Sequence, residues 1–175
     1  PSMVSHAQEK KPDEMMHFRH PSIMVDERGI KTISDAIKLG GEPQATAFGE
    51  LIKAAQEHLQ RKPQPLAKLF IPYYYEDKEK HIAARGMMDK DCDAAYILAL
   101  AYRITGEARY GEKAIEYMMA WATNCTEVDP NADTYLMCSR TMVLMVYAAD
   151  LLWEEKRFKK EEKDCILCGL CGRIC

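Results

Sequence analysis

The sequence predicts an all-α protein built from antiparallel helix pairs joined by short loops. Three observations carry that prediction. Apolar residues recur at three- and four-residue spacings through most of the chain, glycine and proline punctuate these stretches, and no run shows the strict alternation of a half-buried strand. With 47% of its 175 residues hydrophobic and 29% charged, the chain can bury a core of its own.

Each element has its own signal. Residues 30–39 place Ile30, Ile33, Ile37 and Leu39 on roughly one face and stop at Gly40-Gly41, the usual punctuation of a helix C-terminus. Residues 44–60 repeat the pattern through Ala47, Phe48, Leu51, Ile52, Ala55 and Leu59 and end before Pro63 and Pro65. The stretch 66–90 lacks a clean period. Its Phe70–Tyr75 run has the content of a short strand, but Pro72 and the charges that follow favour an ordered loop. From Asp91 onward Ala94, Ala95, Ile97, Leu98, Leu100, Ala101 and Ile104 make a helix apolar over most of its circumference, closed by Thr105-Gly106, so it is expected at the centre. Tyr110, Ala114, Ile115, Met118, Met119 and Ala122 mark a fourth helix, 124–133 reads as a loop around Pro130, and Leu136–Trp153 reads as a fifth helix.

Charge and composition narrow the partners. Lys and Arg number 24 against 27 Asp and Glu, a formal charge of -3, which lacks the basic footprint of a nucleic-acid binder. No uninterrupted apolar run approaches the ~20 residues of a membrane span, so neither nucleic acid nor membrane is expected as a partner. Near the N-terminus Ser5-His6-Ala7-Gln8 matches a signal-peptidase site, and residues 1–17 read as a signal-peptide remnant and leader of a secreted or periplasmic protein. The helical domain is expected over 18–160, followed by a Cys-rich tail over 161–175.

That tail holds Cys165, Cys168, Cys171 and Cys175, the spacing of a bacterial ferredoxin loop that binds a 4Fe-4S cluster. Against a cluster stand the missing proline after the last cysteine, the lack of a second cysteine run and the oxidising compartment implied by export. The tail therefore reads first as a reading-frame or truncation artefact, with a metal site and inert thiols as the alternatives. No cofactor is expected under the first reading, and an iron-sulfur electron-transfer protein is the alternative function that the tail supports.

Several blocks, in order, resemble the alginate lyase family of polysaccharide lyases. They are His20-Pro21, Ile71-Pro72-Tyr73-Tyr74-Tyr75, the run Asp91–Glu107, Tyr110-Gly111-Glu112-Lys113-Ala114, Ala120-Trp121-Ala122, Asp133-Thr134-Tyr135-Leu136 and Ala148-Ala149-Asp150-Leu151-Leu152. The similarity covers roughly residues 18–158. It implies part of an (α/α) toroid acting on an acidic polysaccharide, a uronic-acid polymer such as alginate, by β-elimination. The family's catalytic Asn-His pair lies in later helices, and no adjacent Asn-His occurs in this sequence. The resemblance thus implies an incomplete N-terminal part, inactive alone, with the pair expected beyond Cys175. A helical-repeat interaction module is the other alternative, suggested by the small-large spacing from Ala101-Tyr102 to Trp121, although no second copy occurs at ~34 residues.

Uronate elimination tells which side chains matter. Removing the C5 proton requires the neighbouring C6 carboxylate to be neutralised, a Tyr or His to carry the proton, and aromatic faces to hold the sugar rings. Tyr73, Tyr74 and Tyr75, with His81 and Arg85 just downstream, supply aromatic and cationic groups where family members carry a cleft-covering loop, and are the expected substrate-binding residues. Clustered tyrosines equally suit a helix-loop junction with half-buried rings. Other residues read as structural. His17 and His20 are too few for a metal site and read as capping or packing. Asp91 and Asp93 read as N-terminal caps of the central helix. Met137, Met142 and Met145 read as core filler, and Asn124-Cys125-Thr126 is a short glycosylation match. Asn131, Asp133 and Arg140 match no catalytic position of the family.

Overall fold

The computed structural model describes residues 19–156 together with Phe158 and Lys159. Its elements, in order, are α1 (Glu27–Lys38), α2 (Gln44–Gln60), β1 (Lys68–Leu69), α3 (Lys78–Thr105), α4 (Ala108–Asn124), β2 (Glu127–Val128), α5 (Thr134–Thr141) and α6 (Val143–Leu152). The class is all-α. The predicted helices are present, with three differences in extent and one added pairing.

The first difference is α3, which starts at Lys78 and not at Asp91. The segment 78–90, expected as loop, is helix because Asp77 accepts the Lys80 N–H at 3.0 Å as an N-cap and good helix formers follow. Its inward positions are His81, Ala84 and Met88, a histidine and a small residue among them, so no apolar period is visible. At 28 residues α3 is about 42 Å long. In consequence Asp91 and Asp93 are not caps at all, since both lie in mid-helix.

The second difference is that the expected 136–153 helix is divided at Met142 into α5 and α6. The third is α1, which begins at Glu27 behind the N-cap Asp26, whose side chain accepts Gly29 N–H at 2.7 Å. The added pairing joins β1 to β2 in parallel, Lys68 opposite Glu127 and Leu69 opposite Val128, across two stretches expected as loops. By length and composition Thr134–Leu152, with 19 residues and mean hydropathy 1.3, is long and apolar enough to cross a membrane, although Arg140 and Asp150 interrupt it; half of it is buried within the protein.

The core forms around the second half of α3. Gly106, at φ 74°, ends that helix and turns the chain directly into α4. Gly111 lies against the Tyr102 ring, where a Cβ would come within 3.1 Å of the ring carbons. Trp121, Tyr110, Tyr117, Leu98, Met118 and Met145 are fully buried among α3, α4 and α6, and Met137 and Met142 join them as core residues. The α1–α2 hairpin packs less completely. It leaves an apolar groove of about 400 Å³ between Ile33, Ile37, Phe48, Leu51, Leu100 and Ile104.

Two buried carboxylates fasten the peripheral segments to this core. Asp91, fully buried, accepts from Trp121 Nε1 at 2.9 Å, Gln64 N at 2.6 Å and Arg61 Nη2 at 3.2 Å, so it anchors the turn after α2 to α3 and α4. A buried acid is tolerable there because both carboxylate oxygens accept hydrogen bonds and a guanidinium offsets its charge. Two residues along, partial burial and then the nearby Asp89 push the Asp93 carboxyl above its usual value, while burial and then Arg61 push the His58 imidazole down. At the far end of α6, Asp150 binds His20 Nδ1 at 2.5 Å and the N–H groups of Ser22 and Ile23 at 2.9 and 3.0 Å, so His20 does pack, through a carboxylate.

Candidate functional site

The expected site residues lie at the opposite end of α3 from this core. The chain from Phe70 to Asp77 forms a loop between β1 and α3, and the chain from Asp129 to Asp133 leads from β2 into α5. Parallel pairing of β1 and β2 starts the two segments side by side, and bonds beyond the ladder keep them so. Asp133 N–H donates to Ile71 O at 3.0 Å, and Ile71 N–H donates to Thr134 Oγ1 at 3.0 Å. The Thr134 hydroxyl in turn donates to Asn131 O at 3.0 Å, which satisfies a fully buried side chain.

Tyr73 and Tyr74 are about half exposed and Tyr75 stands almost free in solvent. Tyr74 is the organised member of the three. Its N–H donates to Asp133 Oδ2 at 3.3 Å, and its ring meets those of Tyr75 and His81 edge-on, with centroids 5.5 and 5.4 Å apart. Lys78 Nζ lies 5.6 Å from the centre of the same ring, within cation-π range. Tyrosine rings held this way cost little entropy to place against a ligand.

His81 is only 3% exposed and lies under Tyr74. Its Nδ1 is 2.8 Å from Pro72 O, an acceptor only, so Nδ1 carries the proton; the same nitrogen is 3.5 Å from Asp133 Oδ2. Arg85 lies one turn further along α3, its Nε donating to Asp89 Oδ2 at 2.8 Å, and Asp89 Oδ1 accepts from the Thr141 hydroxyl at 2.8 Å. The structure therefore brings Tyr73, Tyr74, Tyr75 and His81 together, with Arg85 one helical turn away. Behind the loop, Leu66, Phe70, Pro72 and Met87 line a second apolar hollow of about 280 Å³ with Lys80 at its edge.

Asp133 is the residue that sequence reasoning passed over. It touches the Tyr74 backbone and the His81 ring at once, and its backbone caps α5 by accepting Met137 N–H at 2.9 Å. Its signal was present, an acid three residues before the predicted helical stretch and beside Thr134, but its partners Tyr74 and His81 are more than fifty residues distant. Among the described residues, no group of three His, Cys, Asp or Glu is placed to hold a metal. Cys165, Cys168, Cys171 and Cys175 lie outside the described residues, as do His17 and the signal-peptide remnant.

A helical scaffold here carries a pinned loop of tyrosines beside basic side chains. A family model described as alginate lyase matches residues 44–160, well over half of the chain, and includes the whole of this site. The chain belongs to the alginate lyase family, and that membership supports a polysaccharide lyase-like function. No curated protein and no solved structure matches the chain.

Proposed function

We propose that this chain is the carbohydrate-holding part of a secreted or periplasmic polysaccharide lyase that cleaves a uronic-acid polymer such as alginate by β-elimination, its helices forming part of an (α/α) toroid. The observation that carries the reading is Tyr74, an exposed aromatic face fixed from behind by His81 and Asp133 within the span that matches the family. Tyr73 and Tyr75 extend that face, and Arg85 supplies a cation for a sugar carboxylate.

The reaction abstracts the C5 proton, places charge on the C6 carboxylate and expels the O4 group with formation of the C4–C5 double bond. Side chains alone can carry it, without a cofactor. Its main electrostatic requirement is a set of donors on the carboxylate, each typically worth about 3–4 kcal/mol of transition-state stabilisation. Residues 1–175 contain no adjacent Asn-His pair to serve as those donors, so we assign binding to this stretch and turnover to its combination with such a pair.

Electrophoresis of the 175-residue chain through gels containing alginate tests the reading. Retardation by alginate, weakened by Tyr74→Ala, is expected, with no growth of the ultraviolet absorbance of unsaturated uronate ends. Migration unaffected by alginate refutes the binding assignment, and rapid formation of unsaturated ends by this chain alone refutes the assignment of turnover elsewhere.

A further inference from the structure

Two strand-loop-helix segments run side by side in this protein, and only one of them has been given a role. Residues 68–89 pass from β1 through the tyrosine loop into α3, and residues 127–141 pass from β2 through Asp133 into α5. The pairing persists from end to end. It begins at Leu69 and Val128, continues where Ile71 and His81 meet Asp133 and Thr134, and ends at the Asp89–Thr141 bond. The last two contacts are eight residues apart on both helices, so α5 lies along the first turns of α3 and points the same way.

This placement decides which α5 residues face outward. Thr134, Met137 and Cys138 are buried, whereas Tyr135, Leu136, Ser139 and Arg140 are exposed and form one stripe at positions i, i+1, i+4 and i+5. Tyr135 and Leu136 are 42% and 54% exposed, an aromatic and an aliphatic face two and three residues from the Asp133 that holds Tyr74. Five residues beyond Tyr135, about 7.5 Å along the helix axis, comes Arg140. Of the cations nearest the tyrosine loop, Lys80 pairs with Asp77, Lys78 lies over the Tyr74 ring, and Arg85 is bonded to Asp89 through its Nε, which leaves its outer nitrogens for the one carboxylate already assigned to it. Arg140 makes no ion pair or hydrogen bond with any described residue, so its fork of donors is available to a carboxylate.

We infer that α5 is the second wall of the polymer-binding surface, with Tyr135 stacking on a sugar ring and Arg140 selecting for a uronate carboxylate. The inference rests on the proposed function and adds Tyr135 and Arg140 to its binding surface. Charge complementarity identifies the occupant, because an acidic chain laid across Tyr74 and Tyr135 meets its free cation at Arg140. A guanidinium that binds a carboxylate discriminates between charged and neutral sugars, whereas an aromatic face does not.

The test titrates the 175-residue chain calorimetrically with oligomers of alginate and with the same oligomers after reduction of their carboxyl groups to alcohols. Arg140→Ala is expected to weaken binding of the charged oligomer about tenfold and to leave binding of the reduced one unchanged, with Arg140→Lys intermediate. Tyr135→Ala is expected to weaken both. Both residues are exposed, so circular dichroism and melting should match the parent. If the parent binds and Tyr74→Ala weakens it while Arg140→Ala and Tyr135→Ala do not, α5 is no wall and the tyrosine site stands. Equal losses on both oligomers for Arg140→Ala overturn its role in selectivity. No binding by the parent overturns the proposed function and this inference together.

Discussion

The two halves of α3 use one continuous backbone for opposite purposes. From Asp91 to Ala101 the helix is enclosed by α2, α4 and α6, with Asp91, Cys92, Ala94, Ala95, Leu98, Ala99 and Ala101 buried. From Lys78 to Lys90 only His81 and Met88 are buried, and the partners are a loop and the short α5. A buried carboxylate on the inner half closes the core, and the Asp89 carboxylate on the outer half links Arg85 to Thr141 near the surface. The contrast separates what makes the protein fold from what lets it bind, and substitutions in each half should separate the two measurements.

The largest expected effect is in the inner half. Asp91→Ala leaves the Trp121 indole N–H, the Gln64 N–H and the Arg61 guanidinium without their acceptor, and should cost about 3–5 kcal/mol in urea unfolding. Asp91→Asn should cost less, because it keeps an acceptor while losing the charge. If Asp91→Ala unfolds at the same urea concentration as the parent, the buried network does not close the core.

The corresponding change in the outer half is smaller and of another kind. Asp133→Ala removes the acceptor of Tyr74 N–H and the carboxylate beside His81, and should cost about 1 kcal/mol. Retention by alginate should nevertheless fall several-fold, since Tyr74 loses its tether. A variant with lowered stability and unchanged retention would assign Asp133 to folding alone.

Tyr74→Phe should be nearly silent in unfolding, within about 0.5 kcal/mol, because among the described residues its hydroxyl has no hydrogen-bond partner and the loop is held through its backbone N–H and ring. Any loss of retention in this variant would measure what the hydroxyl gives to the sugar rather than to the protein.

A further effect concerns pH. Burial raises the Cys138 thiol on α5 to about 11 and pushes Cys92, in the inner half of α3, well above the ordinary thiol range. The unfolded chain releases these protons first, so stability should be level up to about pH 9 and then fall as the pH rises toward the folded value. Serine at both positions should flatten that decline, and guanidinium unfolding at pH 8 and 10 checks it. Neither thiol should react with alkylating reagents at pH 8 in the folded protein.

Much of this was legible before any coordinates. The period of α2 and the apolar circumference from Ala94 to Ala101 are local patterns, because a helix repeats within a few residues and burial selects side chains at that repeat. The outer half of α3 was not legible, since its inward positions are His81 and Ala84 and the capping Asp77 is followed by charges. Asp91 was misread for a related reason: an acid at the start of an apolar run has the signature of a cap, and only the unseen helix before it changes the meaning.

What the sequence determined by itself was the class of fold, the central place of the Asp91–Ile104 segment and the tyrosine cluster, which rest on short-range spacing and residue type, and the family, which rests on motif blocks along most of the chain. What only the tertiary structure decided was the company those residues keep. The β1–β2 pairing joins positions 59 residues apart, and with it Asp133 reaches Tyr74 and His81 while α5 comes to lie along α3. Contacts at such separation leave no period in the chain. They exist because two loops that must satisfy their buried backbone groups found each other's N–H and C=O groups, and the candidate site is the surface that this pairing creates.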